Sequence, residues 1–103
     1  MKSLDVSFDI DGTLLDNSDP YGRKLHLEML TLLHFMAKKC KNVRVCLYSA
    51  RPLEQQKELA NRLGIEHLIG GYYVKGSGYT PDVHFDDQHE VALGDKNIII
   101  RMK

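Results

Sequence analysis

Leu4, Val6 and Phe8 alternate with Ser3, Asp5 and Ser7, the period of a strand with one apolar face. The strand predicted from this alternation ends at Asp9. Beyond it, Asp9-Ile10-Asp11-Gly12-Thr13-Leu14-Leu15 leads into the polar stretch Asp16-Asn17-Ser18-Asp19-Pro20, which reads as a loop closed by a helix start. Asp19 suits the N-cap, and Pro20 suits the first helical position, where its missing N–H does no harm. Leu25, Met29, Leu32, Leu33, Met36 and Cys40 then recur at three- and four-residue spacing. They predict a helix running to about Lys39, with an apolar stripe that packs on a sheet. Val43, Val45 and Leu47, with Cys46 and Tyr48 between them, are apolar on both faces and predict a buried parallel strand that carries Ser49 to its tip. A second helix follows from Pro52, with Leu53, Leu59, Ala60 and Leu63 as its buried stripe and Gly64 as its C-terminal cap.

Residues Ile69 to Val74, Val83 to Phe85 and Asn97 to Arg101 offer three more strands, and Gln88 to Leu93 a short helix. Together these elements predict an α/β fold: a compact Rossmann-like three-layer sandwich with a mostly parallel sheet of about five strands. One connection is unusual. Parallel neighbours need a crossover of about a dozen residues, yet Lys75-Gly76-Ser77-Gly78-Tyr79-Thr80-Pro81-Asp82 is short and glycine-rich, so the helix expected there is missing. No repeat, linker or low-complexity tract divides the chain, which reads as one domain over residues 1–103.

Composition narrows the class. The 43% apolar and 27% charged shares are those of a globular protein rather than a disordered or membrane-embedded one. Fourteen basic residues balance fourteen acidic ones, leaving no net positive field to collect nucleic acid, although a local basic rim stays open. Cys40 and Cys46 lack the close spacing of a zinc site or redox pair and read as core residues in a reducing compartment. With no apolar leader ahead of the first strand, a cytoplasmic location is the expectation.

In open α/β sheets, ligands bind beyond the carboxyl ends of the strands. Asp9 and Asp11 follow the first strand, Ser49 the second, Lys75 the third, and Asp86 with Asp87 the fourth. Carboxylates gathered in one place repel unless a cation neutralises them, and hard oxygen donors suit Mg²⁺. Each feature also has a plainer reading. Asp9 to Pro20 resembles a calcium loop only in part, because Thr13 and Leu15 stand at ligand positions. Ser49 alone would cap the following helix, and Asp86-Asp87 alone would be an exposed turn or helix start. His26, His34, His67, His84 and His89 have no metal-ligand spacing and read as surface or packing residues, even though the last two flank the acidic pair. Tyr72, Tyr73 and Tyr79 read as cover for the sheet.

Phe8-Asp9-Ile10-Asp11-Gly12-Thr13-Leu14 resembles the first motif of the haloacid dehalogenase superfamily, most of whose members are phosphohydrolases. The resemblance extends through the later motifs: Tyr48-Ser49-Ala50-Arg51, Lys75, and Phe85-Asp86-Asp87. It implies that Asp9 attacks phosphorus to form a phospho-aspartyl intermediate. It makes Asp11 the residue that protonates the leaving oxygen and then deprotonates water. Gly12 permits the turn between them, and Thr13 can fasten it. Ser49, with Ala50 beside it, and Lys75 would bind the phosphate oxygens, although Arg51 or Lys57 could supply the positive charge in place of Lys75. Asp9, the main-chain carbonyl of Asp11, and Asp86 would hold Mg²⁺, with Asp87 as a further ligand or as the holder of metal-bound water.

The same resemblance marks two departures. The segments after Thr13 and after the second helix are too short for the inserted cap domain many members carry, so the chain reads as a capless phosphatase with an open site. Such a site admits a phosphorylated small molecule or a macromolecular end, with nucleic acid left undecided and no membrane partner. Asp5 and Ser7 also break the apolar first strand usual in the family, which implies a thinly covered face or a second copy in a homo-oligomer. A non-catalytic or regulatory phosphate-binding module is the alternative function.

Overall fold

Strands β1 (Leu4–Phe8), β2 (Val43–Ser49), β3 (Gly71–Val74), β4 (Val83–Asp86) and β5 (Lys96–Ile99) form one sheet in the order β3-β2-β1-β4-β5. Every pairing is parallel, with Phe8 level with Leu47 on one side and Phe85 on the other. The computed structural model describes residues 3–16, 24–87 and 96–99. Because β1 is central and all strands point the same way, the residues that follow β1, β2, β3 and β4 emerge along one edge of the sheet. The Rossmann-like α/β class read from the sequence is the observed one, and no inserted domain interrupts the described residues.

Period-two alternation sorts the side chains between the two faces. Val6, Phe8, Val45, Leu47 and Phe85 form one buried cluster with Met29, Leu30 and Leu33 of helix α1 (Leu27–Lys39) and Leu59 and Ala60 of helix α2 (Leu53–Arg62). Phe8 and Phe85 stack with ring centroids 4.7 Å apart, which locks the two strands that carry the acidic residues. A short 3₁₀ turn, Glu66–Leu68, leads from α2 toward β3.

Two helix readings need correction. Helix α1 begins at Leu27 rather than at Pro20, because Lys24 to His26 are held extended against the segment after β1. Leu15 bridges Leu25, Asp16 N–H donates to the Lys24 carbonyl at 2.8 Å, and His26 N–H to the Leu14 carbonyl at 2.9 Å. These bonds use backbone groups that a helix would need. The Asp19 and Pro20 positions, and the helix expected over 88–93, lie outside the described residues. In α2 the buried polar residue is Gln56, while Leu53, in the first turn, stays exposed.

The opposite face of the sheet explains the polar β1 residues. Residues 75–82 turn at Lys75–Ser77, where the Ser77 N–H donates to the Val74 carbonyl at 3.1 Å, and then run as a strap from the end of β3 back to the start of β4, across β2 and β1. Eight residues reach at most roughly 26 Å, and the strap covers this path without a helix. Tyr79 stacks on Tyr73 at 3.6 Å between centroids, packs edge-on against Tyr48, and donates its hydroxyl to Asp5 at 2.8 Å. Asp5 also accepts from Arg44 at 3.1 Å, and its main chain bonds Asp82 at both N–H and C=O. Ser7 lies fully buried beneath this layer. The cover missing from the sequence pattern is therefore supplied within the chain, as a third layer of tyrosines and one strap. No helix among the described residues is long and apolar enough to cross a membrane.

Candidate active site

Asp9 leaves the end of β1 with its N–H donated to the Phe85 carbonyl at 2.9 Å, which extends the β1–β4 ladder by one residue and fixes its backbone. The chain then turns through Gly12 at φ 85°, a left-handed conformation that glycine adopts at little cost. The amides of Thr13, Leu14 and Leu15 converge on the Ile10 carbonyl, and buried Ile10, Leu14 and Leu15 pin the turn to the core. The Thr13 side chain does not fasten it: its hydroxyl is buried and finds no partner among the described residues. Main-chain bonds do that work, helped by the His26 ring on the Thr13 carbonyl at 3.0 Å.

Lys75, at the start of the strap, reaches over the sheet edge. Its Nζ lies 2.8 Å from Asp86 Oδ2 and 3.3 Å from Asp9 Oδ1. Its own N–H is held by the Ser49 carbonyl at 2.9 Å, so β2 sets where the ammonium points. One carboxylate oxygen from each of Asp9, Asp86 and Asp87 lies within 4.8 Å of the others. Burial, then the charge of Asp86, pushes the Asp9 carboxyl up from 3.8 to about 7, against the pull of Lys75. Asp87 is raised as well, by burial and by its hydrogen bond to Asp86. Burial opposes the Lys75 charge, but the bond to Asp86 and the charge of Asp9 outweigh it and raise the ammonium. One ammonium against three crowded carboxylates leaves an excess of negative charge on oxygen donors alone, which fits a hard divalent cation such as Mg²⁺.

The raised Asp9 pKa has a sign that stability measurements can read. A carboxyl whose folded pKa lies above its unfolded one stabilises the fold fully below the unfolded value and loses that contribution as pH rises through about 7. In EDTA, wild-type protein is expected to lose stability relative to Asp9→Asn between pH 4 and pH 8, by the order of a few kcal/mol. Urea denaturation of both proteins at the two pH values checks this. Parallel stabilities would show that Asp9 ionises without strain.

Asp11 is placed differently. Its side chain is half exposed and held by Arg51 in a two-bond fork, Nε to Oδ2 at 2.9 Å and Nη2 to Oδ1 at 2.7 Å. That pairing lowers the Asp11 pKa and raises that of Arg51. Ser49 is buried at the tip of β2, where its hydroxyl accepts the Arg51 N–H at 3.1 Å rather than capping α2. Ala50 is exposed in the same turn. Asp9, Asp11, Ser49, Ala50, Lys75, Asp86 and Asp87 thus all lie along the carboxyl edge of the sheet, and Lys75 rather than Lys57 joins the carboxylates.

Residues 6–89 match the family of haloacid dehalogenase-like hydrolases, a span that runs from β1 past the acidic pair. The chain belongs to that family. No curated protein and no solved structure matches it significantly. As a member, this hydrolase has a structured carboxylate cluster able to hold a cation.

Three supporting residues were not legible as such. Gln56 is buried in α2, and its amide donates to the carbonyls of Arg51 at 2.8 Å and Tyr73 at 2.9 Å, tying the loop after β2 to β3. Ser7 and His84 form a buried pair beneath Asp86. A positional signal existed for Gln56 alone, which stands in the apolar stripe of α2 between Leu53 and Leu59; Ser7 and His84 occupy the polar positions of their strands' alternation and carried none.

Proposed function

We propose that this hydrolase is an Mg²⁺-dependent phosphatase acting on a phosphate monoester through a phospho-aspartyl intermediate on Asp9. The observation that carries the reading is the buried Asp9 carboxylate, held 3.3 Å from the Lys75 ammonium in a cluster with Asp86 and Asp87. An Asp9 oxygen forms a bond to phosphorus as the ester P–O bond breaks, and Asp11 gives the leaving oxygen a proton. Water then attacks the same phosphorus and passes a proton to Asp11, the Asp9–phosphorus bond breaks, and inorganic phosphate leaves. Ser49, Ala50 and Lys75 bind the phosphoryl oxygens and steady their charge in both steps. Asp9, Asp86, Asp87 and the Asp11 main-chain carbonyl would hold Mg²⁺, which when bound supplies positive charge against phosphoryl oxygens and carboxylates alike.

Arg51 sets a condition on Asp11. The fork keeps Asp11 ionised, the form that deprotonates water, so a substrate phosphate must compete for the guanidinium before Asp11 can carry a proton to the leaving group. If the fork never opens, esters whose leaving oxygen needs a proton are bound without turnover, and a chain that turns over no ester at all is the second reading. Assaying p-nitrophenyl phosphate, phosphorylated metabolites, phosphopeptides and end-phosphorylated oligonucleotides with Mg²⁺ or with EDTA separates them. Turnover abolished by EDTA is expected; phosphate binding without turnover on any ester supports the binding module.

A further inference from the structure

Beneath the carboxylate cluster, three polar side chains form a continuous chain through the interior. The Ser7 hydroxyl lies 2.6 Å from His84 Nδ1, and His84 Nε2 lies 2.9 Å from Asp86 Oδ2. Ser7 and His84 are 0% exposed and Asp86 is 1% exposed. Ser7 and His84 stand opposite each other in the β1–β4 register, and Tyr48 packs edge-on against the imidazole. The order Ser–His–Asp is that of a hydrolytic triad, but Ser7 sits in the central strand with a neighbour on each side, so no substrate can reach its hydroxyl.

A carboxylate only accepts hydrogen bonds, so in this contact Nε2 carries a ring proton, while the Ser7 hydroxyl, able to donate or accept, bonds Nδ1. The serine thereby anchors the far side of the ring and keeps Nε2 directed at Asp86. His84 Nε2 and Lys75 Nζ converge on the same oxygen, Oδ2, and two donors from different directions fix the rotation of the Asp86 carboxylate. We infer that Ser7 and His84 are positioning residues that hold the Asp86 carboxylate in the orientation needed to bind a divalent cation. The inference rests on reading Asp86 as a cation ligand. Hydrogen bonds of this kind to a ligating group typically change metal affinity by ~10–100-fold when removed.

Two conservative variants separate position from packing. In His84→Gln the side-chain amide nitrogen stands where Nε2 stood, so the donor to Asp86 survives. In His84→Asn the amide reaches only as far as Nδ1, so the donor is lost while a polar, hydrogen-bonding group remains. Mn²⁺ binding, followed by the loss of its free-ion electron paramagnetic resonance signal, gives a readout independent of turnover. His84→Asn is expected to weaken Mn²⁺ binding by ~10-fold or more, and His84→Gln to stay within about threefold of wild type. Ser7→Ala, which removes only the hydroxyl that anchors the ring, is expected to weaken binding by an intermediate factor and carries the test if His84→Asn does not fold. Folded variants that all bind Mn²⁺ like wild type, or that all lose it equally, overturn the positioning role and leave the phosphatase reading standing. Wild-type protein that binds no Mn²⁺ at millimolar concentration overturns both.

Discussion

Asp9→Asn is expected to bring Mg²⁺-dependent hydrolysis of p-nitrophenyl phosphate to background, a loss of about 10³-fold or more. The substitution keeps the shape of the side chain and the backbone bond to Phe85, but it removes the attacking oxygen anion and one of three clustered charges. Its effect on folding should run the other way. Relief of a desolvated charge, and of its repulsion by Asp86, makes the variant at least as stable as wild type in EDTA at pH 8, so lost activity cannot be laid to unfolding. Activity within tenfold of wild type would end the nucleophile assignment.

Asp11→Asn should divide the reaction instead of erasing it. The nitrophenolate leaving group departs without needing a proton, so transfer of the phosphoryl group to Asp9 persists, while the second step lacks its base and slows by ~10²–10⁴-fold. A burst of product equal to the enzyme present, followed by near arrest, is the expected trace. Acid quenching and peptide mass analysis should find one phosphoryl group on the peptide that contains Asp9. The variant also breaks the fork to Arg51, so tighter phosphate binding by the released guanidinium is a companion result. A steady rate without a burst, equal to wild type, would remove Asp11 from the proton path.

Much of this was written plainly in the chain, and the reason is local. Alternation in β1, the two-sided apolar run of β2 and the stripes of α1 and α2 report burial directly, since each element's period matches the surface it hides. The acidic residues were equally plain, because parallel strands send their carboxyl ends to a common edge. What escaped depends on partners far away in sequence. Asp5 and Ser7 look like faults in a strand until Tyr79 and His84, more than seventy residues on, arrive to bond them. Lys24 to His26 look helical until Leu14 to Asp16 claim their backbone. Gln56 looks like a fault in the apolar stripe of α2 until the carbonyls of Arg51 and Tyr73 surround its amide. Arg51 was weighed only as a substitute for Lys75, because nothing in a linear pattern states that it pairs with Asp11.

The central place of β1 has a consequence for how the molecule is made. β1 finds β2 across 39 residues but meets β4 only across 77, so its second neighbour is bought with a long loop closure and arrives late. A nascent chain that has emerged as far as α2 already carries Asp9, Asp11 and Ser49, yet it lacks the lysine and both remaining carboxylates. During that interval β1 presents an open edge and an uncovered polar face, the state in which strands pair wrongly. Arrival of residues 75–87 closes the edge, covers the face and completes the charge cluster together. The step that closes the sheet around β1 is therefore also the one that completes the carboxylate cluster, and a half-synthesised chain carries Asp9 without the lysine and carboxylates that surround it in the folded protein.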